Sequence, residues 1–315
     1  MSKKVIIIKV VAFLLLLVLL FMSLTQWLKR KEFFPPWGMT TKIVGFANEP
    51  KNSMDVIFFG SSHAFCTFDP QVVEEKTGLS AYTYGTQQQP LWITYHYMKE
   101  ALKYQSPKVM VLEILGAKDN QEYANETANR SAFEPLKNSK NRNEMLEVSV
   151  SKKDRFTYYF PLVKYHSRWD KVTPEDFGTK YYKGRDPLRG YVRLEKTSKG
   201  SPTDLTNVKE RTLLYKKTEE YLNKIIELAK SESIELMLVG APCNADTELK
   251  KVYNTVEQIA NENNIPFIDY NVMYDKVGFD ADKHFFDGVH VNYDGAKIIT
   301  AHFTDYMTGL GFFKE

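Results

Sequence analysis

The chain has 315 residues, 42 Lys+Arg against 39 Asp+Glu, a formal net charge of +3 and two cysteines. That composition excludes a disulfide-stapled miniprotein, a collagen, a disordered acidic tail and a strongly basic nucleic-acid binder. The first two dozen residues carry little charge and the remainder is polar, so one apolar segment precedes one soluble body.

Val5 to Leu24 is an apolar run of about 20 residues broken only by Lys9 and Ser23, which as a helix matches the roughly 30 Å hydrocarbon core of a bilayer. A secretory signal has a shorter apolar run and a small-x-small cleavage site. The exit Ser23-Leu24-Thr25-Gln26-Trp27-Leu28 offers no such site and carries an interfacial Trp, so an uncleaved anchor spanning at residues 5–24 is expected, with Lys9 snorkelling. Lys3, Lys4 and the α-amine nearly balance Lys29, Arg30 and Lys31, so charge does not set the orientation. An anchor over 1–32, a stalk over 33–53 around Phe33-Phe34-Pro35-Pro36-Trp37 and one body over 54–315 are the expected divisions.

In the body, short β-rich runs alternate with helical patterns. Strands are expected at Met54–Phe59, Ala81–Tyr84, Val109–Glu113, Ile234–Gly240 and Phe267–Asp269. Helices are expected near Pro70–Lys76, Pro90–Lys103, Lys209–Ser231, Glu248–Asn263 and Gly295–Thr308. Five strands joined through helices predict a doubly wound, flavodoxin-like α/β fold with a parallel sheet. Between about Gly116 and Val208 the rhythm stops, in a stretch rich in Asn, Lys and Tyr that includes Tyr158, Tyr159, Phe160, Tyr165, Trp169, Tyr181, Tyr182 and Tyr191. Structureless loops of that length are uncommon, so an inserted cap over the carboxyl edge of the sheet is expected. Its aromatics either pack the cap or form a sugar-stacking wall.

Ligands of doubly wound sheets bind beyond the carboxyl ends of the strands. The first strand is followed by Gly60-Ser61-Ser62-His63, a tight-turn glycine and two hydroxyls, and the last by Asp282-Lys283-His284-Phe285-Phe286-Asp287-Gly288-Val289-His290. An Asp three residues before a His on a turn fixes the imidazole tautomer and leaves the other nitrogen to the cleft. Asp282, His284, Asp287 and His290 could instead hold a metal. Cys66 and Cys243 follow the first and fourth strands.

Gly60-Ser61-Ser62, the glycine of Tyr84-Gly85 and Asp287-x-x-His290, in that order and placement, resemble the SGNH/GDSL hydrolase family over essentially the whole body. The Gly-Ser-Ser form, the anchor and the long insert are most similar to its branch of cell-surface acyl-transfer proteins. That branch includes the D-alanine transfer protein of lipoteichoic acid and polysaccharide O-acetyltransferases that work beside a membrane-bound O-acyltransferase. The resemblance implies Ser62 as nucleophile, Ser61 in the place of the family's aspartate, His290 as general base and Asp287 as its orienter. The backbone N–H groups of Ser62 and Gly85 would be oxyanion donors.

At the third strand the family's Gly-x-Asn is absent. Here the chain has Glu113-Ile114-Leu115-Gly116 and then Asn120, so a protonated Glu113, an inswung Asn120 or a two-donor hole are the alternatives. His63, Glu113, His166, Arg168 and Trp169 are candidate substrate-binding residues, with Arg168 suited to an anionic glycan or phosphate. No cofactor is expected. The implied activity is serine acyl transfer or hydrolysis on esters, acetyl being the family's commonest, of an envelope glycan or teichoic polymer outside the membrane. A noncatalytic glycan-binding subunit of a membrane acyltransferase is the alternative.

Overall fold

The computed structural model describes residues 2–30, 37–178 and 184–312. In chain order its elements are α1 (Lys3–Leu28), α2 (Thr40–Ala47), β1 (Val56–Phe59), α3 (Ser62–Thr67), α4 (Pro70–Thr77), β2 (Ala81–Thr83), α5 (Leu91–Ala101) and β3 (Val109–Glu113). There follow α6 (Glu126–Phe133), α7 (Lys140–Ser149), α8 (Phe156–Tyr159), α9 (Pro161–Tyr165), α10 (Lys216–Ser231), β4 (Glu235–Gly240), α11 (Thr247–Glu262), β5 (Phe267–Asp269), α12 (Tyr274–Val277) and α13 (Tyr293–Gly309).

The five strands form one parallel sheet in the order β2-β1-β3-β4-β5. Every residue of β1 and β3 is buried, as expected for strands covered on both faces. Strand periodicity sends alternate β1 side chains to opposite layers. Ile57 and Phe59 join a core with α5, α10 and α11, whereas Val56 and Phe58 join one with α4 and α13. On the second face Phe58 stacks on Phe68 at 4.8 Å and meets Phe303 of α13. The α/β class and the five strands therefore stand as the sequence predicts.

The structure differs from the sequence reading in several places. Residues 40–47 are a helix rather than stalk, with Ile43 and Phe46 buried and Phe46 stacked on Tyr84 at 4.1 Å. Of the stalk, Phe33, Phe34, Pro35 and Pro36 lie outside the described residues, as does Lys31. The helix expected from Lys209 starts at Lys216. Before it, Asn254 on α11 donates to the carbonyls of Val208 and Glu210 and Thr255 bonds both backbone groups of Thr212, holding that segment extended.

The insert is not a single cap over the carboxyl edge. Helices α6 and α7 pack beside α5, through Trp92 Nε1 to Ser149 Oγ (2.9 Å) and Tyr97 Oη to the Ala132 carbonyl (2.7 Å). Helix α9 and the turns after it seat the end of α1. Residues 189–200 run as a strap across the loops at the carboxyl end of the sheet. Val192 N–H bonds to the Phe65 carbonyl, Tyr293 N–H to the Leu194 carbonyl and Ser198 N–H to the Phe285 carbonyl. Gly190, at φ +87°, has room for no side chain because a Cβ would stand 1.8 Å from the Thr83 carbonyl oxygen. Of the insert's aromatics, Tyr181 and Tyr182 lie outside the described residues.

Helix α1 carries no buried residue before Leu28 and is long and apolar enough to cross a membrane.

Candidate active site

The chain turns sharply at the end of β1. Gly60 takes φ +143°, and a Cβ there would press on Glu113 at 2.8 Å, so the turn requires glycine. Ser61 then caps α3, its Oγ accepting the His63 N–H at 3.3 Å, and Ser62 is the first helical residue. Its side chain stands at the mouth of the sheet and its N–H is among those a helix start leaves without an intrahelical partner. Among the described residues, neither Ser62 N–H nor Gly85 N–H is given to another acceptor. Gly85 lies against the turn so closely that a Cβ would meet the Gly60 carbonyl oxygen at 2.5 Å.

Far along the chain, a tight loop between α12 and α13 supplies the other two groups. Phe286 N–H bonds to the His290 carbonyl at 2.7 Å and Gly288 turns the chain at φ +87°. Asp287 Oδ1 accepts the N–H groups of Val289 (3.1 Å) and His290 (2.8 Å), which leaves Oδ2 to face His290 Nδ1 at 2.8 Å. His290 Nε2 lies 2.9 Å from Ser62 Oγ. Partial burial works against the Asp287 charge, but these donors together hold its carboxyl below the usual carboxylate range. An ionised Asp287 accepts Nδ1–H, so Nε2 is free to accept the Ser62 hydroxyl. Such an arrangement can take a proton from a serine hydroxyl.

Glu113 is not placed to bind substrate or to serve as an oxyanion donor. It is 1% exposed and lies behind the Ser61-Ser62 turn. Oε2 meets Ser61 Oγ at 2.9 Å and Ser61 N–H at 3.3 Å, and Oε1 accepts Leu115 N–H at 2.7 Å. Ser61 and Glu113 together brace the loop that carries Ser62. Burial pushes the Glu113 carboxyl up to about 7, against its hydrogen bonds, from an ordinary value of 4.5. A carboxyl raised on folding keeps its proton in the native state after the unfolded chain has lost it. Its stabilising contribution is therefore complete below about pH 4.5 and lost as pH rises through about 7.

At about 1.4 kcal/mol per unit, the loss amounts to about 3 kcal/mol. Glu113→Gln cannot titrate; with its oxygen on the Leu115 N–H, its NH₂ donates to Ser61 Oγ and leaves the Ser61 N–H without its acceptor, a cost that does not depend on pH. Thermal melts of the full chain in detergent should show the difference between variant and wild type shifting in the variant's favour from pH 5 to pH 8. A constant offset at both values would remove Glu113 as the titrating group.

The other sequence candidates scatter. Asn120 is exposed and its Oδ1 accepts from Gln121, so it is not brought to the Ser62 turn. His166 is exposed and its Nδ1 bonds to the Val163 carbonyl. Arg168 donates to the Leu28 carbonyl at the end of α1 and pairs with Asp176 at 3.4 Å, so its charge serves the carboxyl end of that helix rather than a substrate. Trp169 is fully at the surface of the same region. The four groups weighed as metal ligands are parted: Asp282 pairs with Lys199, His284 Nδ1 accepts Asp280 N–H, and Asp287 holds His290. Cys66 and Cys243 are free and buried, and burial raises both thiols, Cys66 well above 9.0 and Cys243 to about 12.

His63 does reach the site. It is buried with its ring stacked on that of His290, 4.7 Å apart and 21° from parallel. Burial, and then the neighbouring His290, depress it to about 3, against a hydrogen bond to the Pro242 carbonyl. It is therefore a neutral wall beside His290 at neutral pH. The residue that sequence reasoning missed is Trp37, whose indole lies 4.7 Å from the His290 ring and 6.1 Å from Phe286. Its carbonyl accepts Gln87 Nε2 at 2.6 Å, which ties it to the loop after Gly85.

No family model matches the chain, and no curated protein does. Several solved structures are similar in fold. A candidate acylhydrolase from Bacteroides fragilis NCTC 9343 has 13% identity and a TM-score of 0.45, over 88% of this chain and 99% of that one. A GDSL-like lipase from Bacteroides thetaiotaomicron VPI-5482 has 13% identity and a TM-score of 0.42, over 84% and 94%. An acetyl xylan esterase has 13% identity and a TM-score of 0.39, over 81% and 98%.

Proposed function

We propose that the protein is a membrane-anchored serine acyl-transfer enzyme of SGNH type, with its body outside the cytoplasmic membrane, acting on acyl esters of an envelope polysaccharide or teichoic polymer. The observation that carries the reading is the continuous relay from Asp287 through His290 to Ser62. Ser62 Oγ attacks the acyl carbonyl while His290 Nε2 takes its proton. The oxyanion that forms is received by the N–H groups of Ser62 and Gly85, a two-donor hole, each donor contributing about 3 kcal/mol in well-studied cases. Collapse expels the donor alcohol, which takes the proton back from His290 and leaves an acyl ester on Ser62. An acceptor hydroxyl, activated by the same His290, then attacks that ester and restores the serine.

Transfer to a polymer is preferred to hydrolysis because of where the site would sit. Eight residues lie between Leu28 and Trp37, nine chain steps, so the chain allows at most about 30 Å between the end of α1 and the wall of the site. Lipid-linked or membrane-proximal acceptors are within that reach, and a membrane-bound O-acyltransferase would be a fitting source of acyl groups. An esterase acting on the same polymers would use the same residues with water as acceptor.

Topology tests the reading at its base. Asn138→Cys in full-length protein places a thiol in the insert, whereas Cys66 and Cys243 are buried and poorly ionised. Modification by a membrane-impermeant maleimide on intact cells is expected. Modification only after lysis would place the body inside and remove the envelope acceptors.

A further inference from the structure

We propose that the exposed apolar side chains of α8, α9 and the turns that follow form a foot lying in the interfacial layer of the bilayer, beside the point where α1 emerges. The proposal rests on the reading of α1 as a membrane span and is independent of the chemistry at Ser62. With residues 5–24 in the hydrocarbon, Trp27 and Leu28 come about one helical turn later, at the level of the headgroups. The insert grips both. Trp27 packs on Phe177 with ring centroids 5.4 Å apart. Leu28 is buried against Tyr165, with Leu162 and Val172 around them, and its carbonyl is held by Arg168. These contacts fix α9 and its neighbours at the same depth as the end of α1.

Around that grip the surface is unusually apolar. Trp169 is 76% exposed and Phe177 55%, and Phe156, Tyr159, Phe160 and Val163 are exposed as well. So many large apolar groups exposed within one short stretch are more than a soluble surface ordinarily presents to water. Aromatic rings are at home where hydrocarbon meets headgroups. Charge agrees with that occupant: residues 152–177, the foot with Phe177 included, contain six Lys or Arg and four Asp or Glu, a net +2 in a chain whose whole net charge is +3. A basic, aromatic surface next to a span fits a bilayer containing anionic lipid. Held by both the span and the foot, the body would keep one tilt, with its carboxyl edge in a fixed direction, rather than swing on its linker.

The test is depth measurement on the full chain in vesicles of phosphatidylcholine and phosphatidylglycerol. Nitroxide labels are placed at Val163→Cys, at Trp169→Cys and, as an aqueous reference, at Glu248→Cys on α11, whose side chain is 73% exposed. The labels at 163 and 169 should collide with oxygen in preference to a water-soluble nickel complex, by a ratio several-fold above that at 248, and should be broadened by lipid labelled near the headgroup. If the protein floats with the vesicles but 163 and 169 read as aqueous as 248, the foot is refuted and the anchor stands. If the protein does not float with the vesicles, the anchor reading fails and the foot falls with it.

Discussion

Ser62→Ala is expected to abolish turnover of a small acetyl ester while leaving the fold intact. Among the described residues the hydroxyl's hydrogen-bond partner is His290 Nε2, and the turn is held by Gly60, by the Ser61 cap and by Glu113. Without Oγ no acyl-enzyme forms, so what remains is water attack assisted only by binding and by the oxyanion donors. Losses on the order of 10⁶-fold accompany removal of such a nucleophile in a well-characterised serine enzyme. The loss should appear in kcat, with an unchanged melting temperature. Unaltered hydrolysis by purified Ser62→Ala protein would sink the assignment. Ser61→Ala should be milder, because it removes a cap worth about 1 kcal/mol rather than the reacting atom.

Asp287→Asn should be nearly as damaging for a different reason. The two backbone N–H groups that converge on Oδ1 require an acceptor there, so the asparagine amide is oriented with its oxygen on Val289 and His290 and its NH₂ toward the His290 ring. An amide donor facing Nδ1 makes that nitrogen the acceptor and puts the ring proton on Nε2, where it opposes the Ser62 hydroxyl. The geometry survives and the tautomer is wrong. A loss of about 10⁴-fold in kcat is expected by analogy with the same substitution in another triad. His290→Ala should be comparably severe. Activity in Asp287→Asn within tenfold of wild type would mean that the carboxylate does not set the tautomer.

The sheet was legible because each strand is a short apolar run that must be covered on both faces, and the spacing between runs leaves room for helices. The order of Gly60-Ser61-Ser62 and Asp287-x-x-His290 along the chain was equally plain, and the structure joins them through hydrogen bonds of 2.9 and 2.8 Å. Helix α3 escaped notice because six residues are too few to show a helical period. Helices α8 and α9 of the insert escaped for the same reason, having four and five residues. Arg168 and His166 looked like binding residues because nothing in the sequence says that this segment faces the end of α1. Trp37 is the instructive omission. Its only local signal is an aromatic residue beside prolines, and its place against His290 depends on how α2 packs on β2, through Phe46, Tyr82 and Tyr84. Glu113 could be read as a departure from a family pattern, but its partnership with Ser61 became visible only once β1 and β3 were adjacent.

The central claim is that Ser62 carries the acyl group. Full-length protein in detergent, treated at pH 7 with a fluorophosphonate that mimics an acyl donor, should gain one adduct, and peptide mapping should place it on Ser62. The adduct should be absent from Ser62→Ala and formed far more slowly by His290→Ala. No adduct on the wild-type protein, or an adduct on another residue that persists in Ser62→Ala, would contradict the account and leave the glycan-binding subunit as the better description.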